Sequence, residues 1–253
     1  MEFMAIIPAR YASTRFPAKP LAVLEGKTII QRVYERVAQV FPRLCVATDD
    51  ERIREEVERF GGVAVMTSTE HRSGTDRCYE AYCKMGADAD VVVNVQGDEP
   101  FIDSSQLQTI MDCFNDPSTE IATLVKPFTH EATIDQIENP NSPKVVVSNE
   151  GYAIYFSRSV IPYLRGVERS QWPKYHNYLK HIGLYAYRSD VLKRITAMPQ
   201  GDLERCESLE QLRWLQAGLC IKVGLTDIET IGIDTPDDLK RAESFLKCQN
   251  KNK

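Results

Sequence analysis

Three cationic side chains lie in a short proline-rich loop directly after the first predicted strand. The strand is Phe3–Pro8, and Arg10, Arg15 and Lys19 lie in the loop that continues to Pro20. In an open α/β sheet, ligands bind beyond the carboxyl ends of the strands, where this loop must lie. Fixed cations and backbone N–H groups are the usual protein partners of a phosphate chain. The loop therefore predicts an anion site, with a solvated basic turn as the alternative.

Two acidic residues also follow predicted strands. Asp98 comes after the apolar run that begins at Val91, and Asp234 comes after the predicted strand Thr230–Ile233. Mg²⁺ binds through one or two carboxylates together with substrate phosphates, so these acids could hold one Mg²⁺ beside the anion. The alternative is that each acid caps a turn, since Asp234 precedes Thr235-Pro236, a typical helix start. The sequence alone does not show that the two acids meet.

The segment HRSGTDR, from His71 to Arg77, lies between a predicted strand and a predicted helix. Ser73 and Gly74 could present hydroxyl and N–H groups to a nucleotide base or a phosphate. The same segment suits a helix start with Ser73 or Thr75 as the N-cap, and without context the cap is the favoured interpretation. Gly97, at the end of another strand, would permit close approach of the backbone to a ligand.

Polar residues in the second half of the chain could hydrogen-bond a hydroxyl-rich acid. His181, Gly183 and Tyr185 alternate along the predicted strand Tyr178–Tyr187 and so share one face of it. Arg158 precedes them on the chain. A single histidine or tyrosine is more often structural than functional, so the spacing leaves both interpretations open.

Three further polar residues are spaced like one face of a predicted helix, Ser208–Gln216. They are Glu207, Glu210 and Gln211. Such a row could face a ligand, or it could be a solvated helix face.

The elements that would position these residues alternate in type over the first part of the chain. The predicted strands are Phe3–Pro8, Leu44–Thr48, Val63–Met66 and Asp90–Val95, and the predicted helices are Thr28–Val40, Asp50–Phe60 and Asp76–Met85. This βαβα rhythm predicts an α/β fold with a mostly parallel central sheet and helices on both faces.

The rhythm breaks after Pro117. Strands with little helix between them are predicted at Ile121–Pro127, Lys144–Ser148, Tyr152–Ser157 and Tyr178–Tyr187, followed by a strand at Cys220–Gly224 and a final helix from Pro236. Asn149-Glu150-Gly151 is a hairpin signal. We expect one domain over residues 1–253 with a β-rich insertion at about 120–187, which could line the substrate site, supply a dimer surface, or both.

Composition excludes several classes of protein. The 253 residues carry a net charge of −5, which argues against a nucleic-acid partner. The 7 cysteines include no CxxC pair, which favours reduced thiols over a zinc site. No apolar run approaches the ~20 residues of a membrane span, and MEFMAIIPAR is too short and not basic enough for a signal peptide. A cytoplasmic protein is expected.

The sequence closely resembles the CMP-KDO synthetases, also called 3-deoxy-manno-octulosonate cytidylyltransferases. The blocks that carry the resemblance, in chain order, are IIPARYASTRFPAKPL, HRSGTDR, NVQGDEPFI, NPNSPKVV, GYAIYFSRSVIP, KHIGLYAYR, ESLEQLRWL and IGIDTPDDL. They cover nearly the whole chain. The chain departs from the family at Ala18, where glycine is common, and at Arg72, where glutamine is common.

The resemblance implies a fold of the nucleotide-diphospho-sugar transferase type, a homodimer, and a reaction. CTP and 3-deoxy-manno-octulosonate (KDO) would give CMP-KDO for lipopolysaccharide synthesis and pyrophosphate, with Mg²⁺ as cofactor. The implied nucleotide contacts are Arg10, Ser13, Arg15, Lys19, Ser73, Gly74, Gln96 and Asp98; the Mg²⁺ ligands are Asp98 and Asp234; the sugar-acid contacts are Gln96, Arg158, His181, Tyr185, Glu210 and Gln211. Arg10, Lys19, Asp98 and Asp234 are the expected catalytic residues.

Two alternatives remain at this point. The acceptor could be another sugar acid, such as sialic acid or an 8-amino analogue of KDO. The chain could also be a catalytically silent nucleotide-binding protein on the same fold, although no acid or cation of the expected set is missing.

Overall fold

A computed structural model describes residues 1–12, 15–229 and 232–251 of the chain. Internal contacts divide the chain into two compact units. The first unit comprises residues 1–108 and 230–253, and the second comprises residues 109–229. The predicted insertion at about 120–187 falls within the second unit. The single-domain organisation stays a prediction.

The first unit is built on four parallel strands. They lie in the order β6, β1, β4, β5, with bounds β1 (Phe3–Ala9), β4 (Leu44–Thr48), β5 (Ala64–Met66) and β6 (Val91–Asn94). Ile6 and Val92 are fully buried, as the continuous apolar runs of parallel strands require. The parallel sheet and the α/β class are confirmed.

Helices separate these strands along the chain or follow the last of them. Their bounds are α1 (Ile29–Val37), α2 (Glu51–Arg59), α3 (Gly74–Lys84), α4 (Ser104–Asp112) and α10 (Pro236–Lys251). A small hairpin that the sequence did not predict joins β2 (Val23–Leu24) and β3 (Lys27–Thr28). Its two central residues, Glu25 and Gly26, have φ values of 46° and 79°, the backbone that a two-residue hairpin turn needs.

The second unit has a mostly antiparallel sheet. β7 (Ile121–Pro127) pairs with β10 (Leu179–Arg188), β10 pairs with β8 (Lys144–Val147), and β8 pairs with β9 (Ala153–Ser157), all antiparallel. β11 (Ile221–Leu225) lies parallel to β7. The hairpin predicted at Asn149-Glu150-Gly151 is confirmed, with Gly151 at φ 77°.

As expected, among the described residues only two short α-helices lie between the predicted strands of this region, but two helices that follow the last of these strands were not predicted. The second unit contains α5 (Ile134–Glu138), α6 (Trp172–Tyr175), α7 (Ser189–Thr196), α8 (Asp202–Glu207) and α9 (Gln211–Gln216). Short helices carry weak periodicity, and α7 begins directly after β10 without a turn residue between them.

The helix predicted at Ser208–Gln216 is confirmed from Gln211 onward, but its predicted start is wrong. Ser208 adopts the left-handed conformation, with φ 51°, and separates α8 from α9. Glu207 therefore ends α8 and does not share a helix face with Glu210 and Gln211. The predicted strand Thr230–Ile233 falls partly outside the described residues, and Gly232 and Ile233, which are described, are not in a strand.

Among the described residues, no helix combines the length and the apolar composition needed to cross a membrane.

Candidate active site

One cleft of about 330 Å³ lies in the first unit, at the carboxyl ends of β1 and β6. Its walls come from four parts of the chain: the loop after β1, the turn after β6, the start of α3, and Asp234. Its lining includes the predicted residues Arg10, Arg15, Lys19, Ser73, Gly74, Gln96, Asp98 and Asp234. Ser13, which was also predicted, lies outside the described residues.

Lys19 joins the two predicted acids. Its Nζ donates to Asp98 Oδ2 at 2.5 Å and to Asp234 Oδ1 at 3.2 Å. Arg15 Nη2 lies 3.2 Å from Asp234 Oδ2. Lys19 is only 14% exposed and Asp98 30%, so their ion pair is partly shielded from water. The acids, which the sequence could not place together, therefore converge on one cationic centre.

A backbone hydrogen bond brings the two acids to the same place. Ile233 N–H donates to the carbonyl oxygen of Asp98 at 2.9 Å, which sets the following residue, Asp234, beside Asp98. Gly97 lets the turn approach β1, because a Cβ there would lie 2.9 Å from the carbonyl oxygen of Pro8. The close approach predicted for Gly97 is thus to the protein's own strand.

The helix start after Asp234 has its own cap. Thr235 Oγ1 accepts from Asp238 N–H at 3.2 Å, and Asp238 Oδ2 accepts from Thr235 N–H at 2.8 Å. Pro236 is the first residue of α10. This reciprocal pair satisfies the helix terminus. The Asp234 carboxylate is left to face Lys19 and Arg15.

The loop between Arg10 and Lys19 is tied down at Tyr11. Ala18 N–H donates to the Tyr11 carbonyl at 3.0 Å, and the Arg52 guanidinium carbon lies 3.4 Å from the Tyr11 ring centroid. Arg52 is held in turn by Asp50, with two hydrogen bonds of 2.9 and 2.6 Å. Cation–π contacts of this kind stabilise by roughly 0.5–1 kcal/mol at exposed sites. Ala18 has φ 58°, which explains why glycine suits this position in the family.

The start of α3 forms another wall of the cleft. Ser73 caps the helix by accepting from Asp76 N–H at 3.1 Å, as the cap interpretation predicted. A Cβ on Gly74 would lie 3.3 Å from Pro8 Cγ, so the helix terminus packs closely on β1. The sequence interpretation missed two lining residues in this segment, His71 and Arg77.

Both missed residues are fixed by acids from neighbouring elements. Arg77, only 4% exposed, donates to Thr67 Oγ1 at 2.5 Å and to Asp49 Oδ2 at 2.7 Å. His71 Nε2 contacts Glu80 Oε2. The HRSGTDR segment was the signal for both residues, but their partners are apparent only in the fold.

The sugar-acid residues predicted from the resemblance lie in the second unit, except Gln96. His181 Nε2 lies 3.1 Å from Thr123 Oγ1, and burial lowers the pKa of His181 to about 3. The rings of His181 and Tyr185 lie 5.3 Å apart, although the β7–β10 register shifts between Ile182 and Tyr185. Burial raises the pKa of Tyr185 well above its usual range, so its hydroxyl keeps its proton.

Arg158 is engaged with the backbone. Nε donates to Glu207 O at 2.6 Å, Nη1 to Pro140 O at 2.7 Å, and Nη2 to Ser208 O at 3.2 Å. Its contact with a sugar acid stays a prediction. The observed contacts show that Arg158 stabilises the break between α8 and α9.

The break between α8 and α9 sets the position of Glu210 and Gln211, the last two predicted sugar-acid contacts. Glu210 Oε1 accepts from Arg213 Nη2 at 3.0 Å. The amide nitrogen of Gln211 is buried and has no hydrogen-bond partner among the described residues. An unpartnered buried amide costs stability, so a polar ligand there would satisfy it.

The cleft suits a magnesium ion that is shared with a substrate. The described residues contain no group of three or more His, Cys, Asp or Glu that could hold a metal by itself. Asp98 and Asp234 already share one cation, Lys19 Nζ. Mg²⁺ takes one or two carboxylates and completes its shell with phosphates and water, which fits this donor set.

The chain is similar to known proteins of one family. The cytidylyltransferase family model matches residues 4–228. The chain is 65% identical over 247 residues to a 3-deoxy-manno-octulosonate cytidylyltransferase of Phocaeicola vulgatus, with 98% of each chain covered. It is 55% identical to one of Porphyromonas gingivalis, again with 98% of each chain covered.

Solved structures agree. A CMP-2-keto-3-deoxy-manno-octonic acid synthetase complexed with CTP has a TM-score of 0.90 and 40% identity, covering 98% of this chain and all of that one. A 4-diphosphocytidyl-2C-methyl-D-erythritol synthase of Anaerococcus prevotii shares the fold alone, with a TM-score of 0.63, 12% identity, and coverage of 97% of this chain and 99% of that one. The α/β nucleotidyltransferase fold expected from the sequence is confirmed, and the chain belongs to the cytidylyltransferase family.

Proposed function

We propose that the chain transfers CMP from CTP to the anomeric hydroxyl of KDO and releases pyrophosphate. The observation that carries the proposal is the convergence of Lys19, Asp98 and Asp234 in one cleft. Carboxylates can hold the metal ion of a nucleotidyl transfer, and a shielded ammonium can neutralise phosphate charge. The relatives of 55–65% identity bear the name of this activity, which supports KDO as the acceptor.

The basic loop would bind the triphosphate. Arg10, Ser13, Arg15 and Lys19 are assigned to the phosphates of CTP, with Ser73, Gly74 and Gln96 along the nucleotide. The Tyr11–Arg52 contact supports this assignment because it fixes the loop before the ligand arrives, which reduces the entropy cost of binding.

Asp98 and Asp234 would hold Mg²⁺ against the phosphates. When bound, the ion would offset charge at the α-phosphate and lower the pKa of the attacking hydroxyl. The protein's own cations would act on the leaving group. Arg10 and Lys19 would stabilise the charge that develops on the departing pyrophosphate.

The chemical step is an in-line displacement at phosphorus. The anomeric oxygen of the sugar acid forms a bond to the α-phosphorus, the bond from that phosphorus to the bridging oxygen breaks, and pyrophosphate leaves with both electrons. The hydroxyl proton passes to solvent. Such a transfer depends on positioning and charge neutralisation, so no nucleophile from the chain is needed.

Gln96, Arg158, His181, Tyr185, Glu210 and Gln211 would bind the sugar acid. Gln211 offers an amide nitrogen with no partner among the described residues, and Tyr185 offers a protonated hydroxyl. Since burial keeps His181 uncharged near neutral pH, it would act as a hydrogen-bonding group and not as a cation. We further infer a cytoplasmic homodimer that supplies lipopolysaccharide synthesis, on the strength of the family resemblance.

Pyrophosphate release with CTP, Mg²⁺ and a panel of sugar acids tests the proposal. We expect KDO to give the highest kcat/KM, ahead of sialic acid and 8-amino-KDO. A clear preference for another acid would replace KDO as the acceptor. CTP binding without release for any acid would favour the silent nucleotide-binding alternative.

A further inference from the structure

His71 lines the cleft, and one side of its ring is already used. Its Nε2 contacts Glu80 Oε2, and Glu80 does not line the cleft. A carboxylate accepts only, so the proton of the neutral ring is assigned to Nε2 by this contact. The other nitrogen, Nδ1, has no hydrogen-bond partner among the residues that the structure describes.

Glu80 is itself held in place. Its carboxylate accepts from Lys84 Nζ at 2.7 Å and from Ser68 N–H at 2.9 Å, in addition to His71. Burial alone would raise the pKa of Glu80, but these hydrogen bonds outweigh burial and lower the pKa to about 2. The acid is therefore ionised at neutral pH. It fixes both the orientation and the tautomer of the His71 ring.

Apart from this nitrogen and the amide oxygen of Gln96, the side chains that line the cleft offer few neutral acceptors. Asp98 and Asp234 are paired with Lys19, and the Ser73 hydroxyl accepts from Asp76 N–H as a helix cap. The other lining side chains near His71 include Arg72 and Arg77, which only donate. His71 Nδ1 is therefore an acceptor beside the donors Arg72 and Arg77, and this arrangement suits a ligand that carries an N–H₂ group at this wall.

We propose that His71 is a specificity-determining residue that accepts a hydrogen bond at Nδ1 from the exocyclic amino group of the cytosine base. Cytosine carries a donor at this position, whereas uracil carries an acceptor oxygen. A fixed Nδ1 lone pair therefore favours CTP and disfavours UTP. This inference rests on the proposed function, because it concerns the nucleotide of the same cleft.

Two substitutions separate the roles of the ring nitrogens. His71→Gln sets an amide near the position of Nε2, so it can keep a donor toward Glu80 while the Nδ1 acceptor is lost. His71→Asn sets an amide oxygen near Nδ1, so it can keep the acceptor while contact with Glu80 is lost. Lys84→Met is the matched control, because it removes another partner of Glu80 and leaves His71 intact.

The experiment measures Kd for CTP and for UTP by titration calorimetry in the absence of KDO, with kcat/KM for each nucleotide measured separately. We expect His71→Gln to weaken CTP binding about tenfold, the effect of losing one hydrogen bond, and to leave UTP binding unchanged. His71→Asn is expected to keep most of the preference for CTP, and Lys84→Met all of it.

The inference is overturned if His71→Gln changes CTP and UTP binding equally, which would indicate a phosphate-binding or structural role, or if it changes neither. A preference kept by Gln and lost by Asn would also overturn it, because the Glu80 contact would then be what matters. Failure of the proposed function gives a different result, namely no pyrophosphate release by the wild-type chain with CTP and KDO, while the binding measurements still decide the role of His71.

Discussion

Asp98→Asn distinguishes the contribution of Asp98 to catalysis from its contribution to stability. The substitution removes one carboxylate charge from the cleft but keeps the size of the side chain. Lys19 retains Asp234 at 3.2 Å, and Asp98 is 30% exposed, so the lost pair should cost about 1 kcal/mol of unfolding free energy. For a chain of this size, that corresponds to a fall in Tm of about 2–4 °C.

Turnover should fall much further. Removal of one preorganised electrostatic group from an active site typically costs about 100- to 1000-fold in kcat. Pyrophosphate release with CTP, KDO and Mg²⁺ measures the loss, and thermal unfolding confirms that the fold is kept. Asp237→Asn is the control, since Asp237 is 84% exposed and its ion pair within the described part of the chain is with Lys240, so turnover should not change. Asp98→Asn turnover within threefold of wild type would refute the assignment of this carboxylate to the metal.

Three further substitutions test the surroundings of the site. Gly97→Ala should lower Tm and cost about tenfold or more in kcat/KM, because its Cβ would lie 2.9 Å from the Pro8 carbonyl oxygen; unchanged values would show that the turn can move. Arg52→Ala should raise KM for CTP severalfold with little change in kcat, because the loop loses its contact with Tyr11; a fall in kcat alone would contradict this role. His181→Gln should reduce the dependence of folding stability on pH. Burial holds the pKa of His181 at about 3, below its ordinary value. The wild-type protein therefore loses stability as pH falls from about 6.5 toward 3, at up to about 1.4 kcal/mol per pH unit. Denaturant unfolding of both proteins at pH 7 and pH 4.5 measures the difference, and equal losses would refute the cause.

The parallel strands β1, β4 and β6 were predictable because they are buried almost throughout and are therefore rich in apolar residues. The predicted bounds of Leu44–Thr48 match the structure, and those of Ile121–Pro127 in the second unit do too. The small hairpin at Glu25-Gly26 was not predicted, since its strands have only two residues each and leave no periodic pattern.

At the break between α8 and α9, a contact from a distant part of the chain determines the local backbone conformation. Ser208 is neither glycine nor asparagine, yet it adopts a left-handed backbone. Arg158, from a distant part of the chain, donates to the carbonyls of Glu207 and Ser208 and so stabilises the corner. No window of sequence around Ser208 contains this partner, so the sequence predicted a helix that already begins at Ser208.

The candidate site also combines features that the sequence predicts with contacts that only the fold makes. That Asp98 and Asp234 end apolar segments was visible in the sequence, as was the cation-rich loop. Their meeting depends on the hydrogen bond from Ile233 N–H to the carbonyl of Asp98, which joins residues far apart in the chain. His71 lacked an assigned role for a similar reason, because its functional signal is the contact with Glu80.

The two interpretations of Asp234 that the sequence left open are compatible. Thr235 and Asp238 complete the cap of α10 by themselves, which leaves the Asp234 carboxylate to Lys19 and Arg15. Lys19 Nζ joins Asp98 and Asp234 with two of the three N–H donors of its ammonium group. If Lys19 binds a phosphate of CTP as proposed, the third N–H can serve the phosphate while the other two hold the acids, and each carboxylate keeps lone pairs that Mg²⁺ could use. The same lysine would therefore hold the metal ligands in place both before and after the nucleotide arrives.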